Sequence, residues 1–269
     1  MVKLIITDMD GTLLNSKNEI NNEFWEIQEK LAKDGVIFSV ASGRPYYNLV
    51  EKFKTLMNSM LFICENGAYV VFQGKEIYSN VIKREDIFFL LNICKNIKGI
   101  VPILCGKDSA YVERKNYFDE KYDFKPEINK YYNKLQIVEN FDEVEDEFLK
   151  IAICDSLIAE KNSYNYFKNY EDRFQVVLSG KVWMDLGKID TSKGMAIRMT
   201  QKNLGISYDE TMAFGDYLND YSMMKEAKYS YAMKNAHPQL KEVANFITEN
   251  DNDNNGVVET IKQYFPNLK

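Results

Sequence analysis

Leu4-Ile5-Ile6-Thr7-Asp8-Met9-Asp10-Gly11-Thr12 decides how this chain is read. A short apolar run leads straight into two aspartates, a glycine and a threonine. Such a run, bounded by turn residues, reads as a strand buried on both faces, the kind found in parallel sheets. DxDGT is expected by chance in about one chain in a few hundred of this length. It stands at the C-terminal end of a first strand, where open parallel sheets place their ligands. Alternation along an extended chain lets Asp8 and Asp10 point to one side, and Gly11 permits a sharp departure of the backbone. Two close carboxylates repel each other unless a proton or cation intervenes. A hard cation such as Mg2+ accepts one or two carboxylates and keeps sites for phosphate oxygens and water. A carboxylate is also an established nucleophile toward phosphorus. An isolated DxD pair in a polar loop reads instead as a turn or helix cap; the preceding strand and the partners below reverse that preference.

Outward from this stretch, short apolar runs alternate with helix-like segments. Glu23 to Ala32 reads as an amphipathic helix, and Val36 to Ala41 as a strand ending at Ser42-Gly43-Arg44-Pro45. Pro45 suits the opening of a helix running toward Met57. Leu61 to Cys64 is a third strand, closed by the turn signal Glu65-Asn66-Gly67. The rhythm returns late: helix from Lys193 to Asn203, strand from Thr211 to Phe214, helix from Asp220 to Lys225, strand from Tyr229 to Ala232. Helix from Gln239 to Val243, strand from Phe246 to Thr248 and helix from Val257 to Tyr264 follow, and Asn250 to Asn255 is a loop. The expected fold class is α/β, a Rossmann-like parallel sheet with helices on both faces. Between roughly Lys83 and Leu186 the pattern changes. Tyr and Phe are dense, and Leu135 to Val138, Phe174 to Leu178 and Val182 to Leu186 look like strands. The expectation is an inserted α+β domain over residues 83–186, with residues 1–82 and 187–269 forming one core.

Composition narrows the function. With 269 residues the chain has room for two domains. Hydrophobic residues are 45% and charged residues 28%, as in an ordinary globular protein. A net charge of -6 disfavours a nucleic-acid backbone as partner. No apolar run approaches a membrane span, and Leu4-Ile5-Ile6 is too short for a signal peptide. The four cysteines, Cys64, Cys94, Cys105 and Cys154, form no CxxC pair and read as buried thiols. A cytoplasmic protein is expected. The single histidine, His237, precedes Pro238 and reads as a loop or helix-start residue. Catalysis through a Ser-His-Asp or Cys-His arrangement is therefore disfavoured, and chemistry must run on carboxylates, lysine and metal.

Further candidates sit at other strand and helix ends. Ser42 and Gly43 offer a hydroxyl and a backbone amide for phosphate, although Ser42 as a plain helix cap is about as common. Lys193 opens a helix, where a positive charge costs stability. A bound phosphate or a carboxylate pair would offset that cost; an exposed surface lysine is individually the commoner case. Gly215-Asp216-Tyr217-Leu218-Asn219-Asp220 follows an apolar strand directly, so Asp216 is placed to complete a metal site and Asp220 begins the next helix. Two calcium-loop readings fail: counted from Asp8 the sixth position is Leu13 where Gly is needed, and counted from Asp251 the twelfth is Lys262.

This set resembles the haloacid dehalogenase superfamily, specifically the Cof-type phosphatases with a large α/β cap. The resemblance covers nearly the whole chain and is carried by DxDGT at Asp8 and GDxxND at Gly215. It implies Asp8 as nucleophile and Asp10 as general acid and base, with the Asp10 backbone carbonyl on Mg2+. It implies Ser42, Gly43 and Lys193 on the phosphoryl group, Asn219 on phosphate or substrate, and Asn66 on substrate. Asp216 would ligate Mg2+ with Asp220 in support, so the implied metal set is Asp8, Asp10, Asp216 and Asp220. Two positions depart from the family pattern: Tyr217 stands where Asn or Ser is frequent, and Lys234 replaces Gly in Tyr231-Ala232-Met233-Lys234-Asn235-Ala236.

The implied activity is a Mg2+-dependent phosphatase acting on a small phosphorylated metabolite, a sugar phosphate by default, through an aspartyl-phosphate. No nucleic-acid or membrane partner is expected. A phosphosugar mutase sharing the aspartyl-phosphate step and a non-catalytic phospholigand sensor stand as alternatives. Every catalytic candidate lies outside residues 83–186, which predicts a substrate-selecting cap rich in aromatics such as Tyr111, Tyr117, Tyr131, Tyr132, Phe174 and Trp183.

Overall fold

The computed structural model describes residues 1–265. Strands β1 to β5 are Leu4–Thr7, Ile37–Ala41, Met60–Cys64, Tyr69–Phe72 and Lys75–Ser79. Strands β6 to β11 are Ile100–Gly106, Ala110–Glu113, Leu135–Val138, Phe148–Asp155, Phe174–Gly180 and Trp183–Lys188. Strands β12 to β14 are Thr211–Gly215, Tyr229–Ala232 and Phe246–Ile247. The chain divides into two compact units. The first holds Met1–Gly43, Phe53–Tyr78 and the chain from Ser192 onward; the second holds Arg44–Lys52 and Ser79–Thr191.

In the first unit the described strands form one eight-stranded sheet, ordered β14-β13-β12-β1-β2-β3-β4-β5. Neighbours from β14 to β3 pair in parallel, and β4 returns antiparallel on β3. All residues of β1 and β3 are buried, as expected of strands covered on both faces. One cover is the helix Glu23–Lys33, whose Phe24, Ile27, Gln28 and Leu31 recur at helical spacing and face inward. Phe24 meets Phe38 of β2 edge-on at 5.1 Å between ring centroids. Another is the helix Lys193–Leu204, capped by the Ser192 hydroxyl and stopped by Gly205 at φ 64°. The register aligns Thr7 with both Val40 and Phe214. The ends of β1, β2 and β12 are therefore level, and Asp8, Ser42 and Asp216 leave the sheet along one edge.

The second unit has its own sheet, ordered β10-β11-β9-β6-β7-β8. Ladders are antiparallel except β7 with β8. Hydrophobic clusters form on both faces, one around Leu104, Ile153 and Met184, the other around Ile103, Ala152 and Trp183. The helix expected from Pro45 toward Met57 ends at Lys52 and is followed by a separate 3-10 turn, Lys54–Leu56. Phe53 marks the break: it is fully buried against Phe24 and Phe62 of the first unit. The helix before it belongs to the second unit, where the Asn48 amide donates to the Tyr131 carbonyl at 2.7 Å. All four cysteines are buried free thiols.

Candidate active site

Asp8 is the first residue beyond β1. Its N–H continues the ladder to the Phe214 carbonyl at 2.9 Å, which fixes the backbone, and its side chain is almost wholly buried. Lys193 Nζ donates to Asp8 Oδ1 at 2.5 Å and to Asp220 Oδ1 at 2.7 Å. The cost expected for a lysine at a helix start is thus offset by a carboxylate pair. The other Asp220 oxygen accepts from the Asp216 and Tyr217 N–H groups at 3.0 and 3.3 Å, which shapes the loop after β12. Asp216 in turn accepts from the Thr12 hydroxyl at 3.1 Å. Carboxylate oxygens of Asp8, Asp216 and Asp220 all lie within 4.8 Å of one another.

Close approach is what the glycines permit. Gly11 sits at φ 79°, and a Cβ there would collide with the Asp216 carboxylate. Gly215 has the same relation to Asp220, whose Cβ would be 2.6 Å from an added methyl.

Two buried carboxylates share one ammonium with the half-buried Asp216 beside them, and their acidities reflect it. Burial, reinforced by the Asp220 charge and opposed by Lys193, raises Asp8 to about 8. Burial and then the Asp220 charge raise Asp216 to about 6. Burial works against the Lys193 ammonium, but Asp220 and Asp8 outweigh it and hold its pKa above the ordinary lysine value. Charges so arranged are short of positive partners, and the donor set is oxygen alone. Both features fit a hard divalent cation such as Mg2+. Asp220 already uses both oxygens on protein donors, so Asp8 and Asp216 are the carboxylates that would meet it.

The remaining expected residues divide. Ser42, Gly43 and Asn66 form a second cluster on the same sheet edge. Asn66 N–H donates to the Ser42 carbonyl at 2.9 Å, and a Cβ on Gly43 would come 3.1 Å from the Asn66 amide nitrogen. Glu65 and Asn66 both take positive φ, 50° and 54°, and Gly67 follows at 102°. That bend presses Gly67 against the Ser192 carbonyl, leaving no room for a side chain. Asp10 is exposed and lies outside the three-carboxylate group, and Asn219 is exposed in the 3-10 turn Leu218–Asp220. His237 caps the helix Pro238–Val243, its Nδ1 accepting from Gln239 N–H at 3.2 Å. Sequence reasoning missed Thr12, although it belongs to the DxDGT stretch itself. It also gave no role to Asn235, whose amide donates to the Gly11 carbonyl at 2.8 Å across 224 residues of chain.

A family model for haloacid dehalogenase-like hydrolases matches residues 5–261. The chain belongs to this family. It is accordingly a hydrolase of the haloacid dehalogenase type, and several of its curated relatives are named phosphatases. A 5-amino-6-(5-phospho-D-ribitylamino)uracil phosphatase of Escherichia coli is 32% identical, across 97% of this chain and 95% of that one. A Bacillus subtilis phosphatase is 28% identical, across 97% of this chain and 99% of its own. A solved Streptococcus mutans structure is 32% identical and superposes with a TM-score of 0.85, covering 99% of this chain and 100% of the other. Among the described residues, no helix is long and apolar enough to cross a membrane.

Proposed function

We propose that this haloacid dehalogenase-type hydrolase is a Mg2+-dependent phosphatase that transfers a phosphoryl group to Asp8 and then to water. The observation that carries the reading is the shared contact of Lys193 with Asp8 and Asp220 beside Asp216. The ammonium favours the anionic form of Asp8 against burial and lies next to the oxygen that would attack phosphorus. Asp8, Asp216 and the Asp10 carbonyl would hold Mg2+, which when bound would supply further positive charge against the phosphate. Asp8 forms a bond to phosphorus while the ester P–O bond breaks, and Asp10 gives its proton to the departing alcohol. Asp10, now a carboxylate, takes a proton from water as that water attacks phosphorus and returns Asp8. Positioning and charge neutralisation supply most of the rate.

For the substrate we propose a phosphomonoester on a sugar or polyol chain. Asn66 Oδ1 is buried with no hydrogen-bond partner among the described residues, so a substrate hydroxyl donating to it would remove a costly orphan. Ser42, Gly43 and Lys193 would hold the phosphoryl group. The phospho-ribityl chain in the name of the Escherichia coli relative is of this class. All these groups belong to the first unit, so we assign the chemistry there and the choice of leaving group to residues 83–186.

The experiment is a panel of phosphorylated metabolites assayed for phosphate release with Mg2+ and with a chelator. Release from sugar or polyol phosphates, abolished by the chelator and by Asp8→Asn, is the expected result. Full activity without metal, or release that needs a bisphosphate activator, would overturn the reading. Exchanging residues 83–186 for those of the Bacillus subtilis relative should change the substrate ranking and keep the metal requirement.

A further inference from the structure

Met233 to His237, the five residues after β13, bond to both loops that carry the chemistry. Met233 N–H donates to the Gly215 carbonyl at 2.9 Å and His237 N–H to the Asp216 carbonyl at 2.8 Å. Between them Asn235 Nδ2 donates to the Gly11 carbonyl at 2.8 Å, and Asn235 Oδ1 accepts from Asn252 N–H at 3.2 Å. Asn252 Nδ2 donates to the Leu14 carbonyl at 2.9 Å. The Asp253 carboxylate accepts from the Ser16 N–H and hydroxyl, both at 2.7 Å. The Asn/Asp run that fails as a calcium loop thus ties down the segment from Asp10 to Ile20. Within itself that segment pairs through isolated bridges, Asp10 with Leu14 and Leu14 with Ile20, and through a turn in which Asn15 Oδ1 accepts from the Lys17 and Glu19 N–H groups, both at 2.9 Å.

Position 235 calls for an amide. It must donate to one backbone group and accept from another, and of its two partners each needs the opposite function. Aspartate there would set an oxygen against the Gly11 carbonyl, and alanine would leave both partners to water. The Gly11 peptide is a sensitive place to hold. It is in the left-handed region, its Cα abuts Asp216, and Thr12 on its far side donates to Asp216.

We propose that Asn235, supported by Asn252 and Asp253, is a positioning residue for phosphoryl transfer. It holds the Gly11 peptide and, through Asn252, the Leu14 peptide, and so keeps Asp10 in reach of the leaving oxygen. It touches no reacting atom. The inference rests on the assignment of Asp10 as acid and base, and it makes a specific demand: loss of the strap must hurt most where the leaving group needs a proton.

The test is kcat/KM for a series of aryl phosphates running from p-nitrophenyl to phenyl phosphate, measured with Mg2+ for wild type, Asn235→Ala, Asn235→Asp and Asp10→Asn. kcat/KM reports steps up to release of the leaving group. Asn235→Ala and Asn235→Asp should lose about 10–100-fold with phenyl phosphate and about 3-fold or less with p-nitrophenyl phosphate. Their dependence on leaving-group basicity should then steepen toward that of Asp10→Asn. An equal fall for every ester, or no fall, in a variant that melts with wild type would overturn the proposal. If wild type itself releases no phosphate from any ester, the phosphatase assignment fails, and hydrogen exchange decides the strap separately. Amides from Asp10 to Ile20 should exchange faster in Asn235→Ala; unchanged exchange would show that the strap holds nothing.

Discussion

Lys193 Nζ lies 2.7 Å from Asp220 Oδ1 with neither side chain exposed to solvent. The pair stands at a helix start, where the helix itself disfavours the ammonium, so Asp220 and Asp8 must hold it there. Asp220 also fastens the loop after β12 through two backbone N–H groups. Asp220→Ala removes all of this at once. Breaking a buried pair by deleting one partner costs about 3–5 kcal/mol, and urea denaturation of the metal-free protein should show a loss of that size. A loss below about 1 kcal/mol would put the pair on the level of a surface ion pair and remove its structural importance.

Asp8→Asn separates charge from shape. The substitution is isosteric, so the fold should persist while phosphate release falls by about 10³-fold or more, because an amide cannot form the acyl-phosphate. Since burial raises Asp8 to about 8, the charged form is the one the fold resists. Metal-free Asp8→Asn should therefore melt no lower than wild type at alkaline pH. Calorimetry beside the activity assay checks both halves, and retention of turnover would remove Asp8 from the nucleophile's place.

Gly11→Ala tests the close approach of two loops. A non-glycine residue in the left-handed region costs about 1–2 kcal/mol, and here the new methyl would also strike the Asp216 carboxylate. Either Asp216 or the Asp8–Thr12 turn must move. Displacement of a reacting group by about 1 Å can cost about 100-fold in rate. The expected outcome is a modest drop in melting temperature with a disproportionate loss of kcat and a higher Mg2+ requirement. Near wild-type kinetics would mean that the turn has room to adjust.

Where the sequence was legible, local pattern and local structure agree. Leu4–Thr7 is a strand over the expected residues because an apolar run buried on both faces needs no partner information. Lys193 was readable as a charge in want of an anion, since helix starts penalise cations wherever they occur. The sheet of the second unit was harder. Pro102 sits inside β6 and Lys150 inside β9, and both argue against buried strands when read alone. Lys150 is tolerated there because Asp185, two strands' worth of chain away, accepts from it at 3.1 Å. Asn235 was silent for the same reason. Its partners Gly11 and Asn252 come together only through the fold, and no spacing rule links them. Tyr217 is 58% exposed, its ring edge-on to His237 at 5.6 Å, a contact that family pattern alone does not anticipate.

Asp8 is raised to about 8 and Asp216 to about 6, in both cases chiefly by burial. In the unfolded chain both would titrate near the ordinary aspartate value of about 4. A carboxyl whose folded pKa exceeds its unfolded one binds its proton more tightly when folded. Its stabilising contribution is thus complete below about pH 4 and is lost as pH rises through the folded pKa. For Asp216 that loss falls between about pH 4 and 6, and for Asp8 it extends to about pH 8. Metal-free protein should therefore lose stability from these two groups across this window. A divalent cation bound to the ionised carboxylates opposes the loss, because a ligand that binds only the folded state stabilises it by mass action. The rise in melting temperature on adding Mg2+ should accordingly be small near pH 5 and grow steadily toward pH 8. Asp216→Asn should flatten that growth without abolishing folding. Scanning fluorimetry at fixed Mg2+ across this range gives the answer without any substrate. A shift equally large at pH 5 and pH 8 would mean that the cation binds elsewhere.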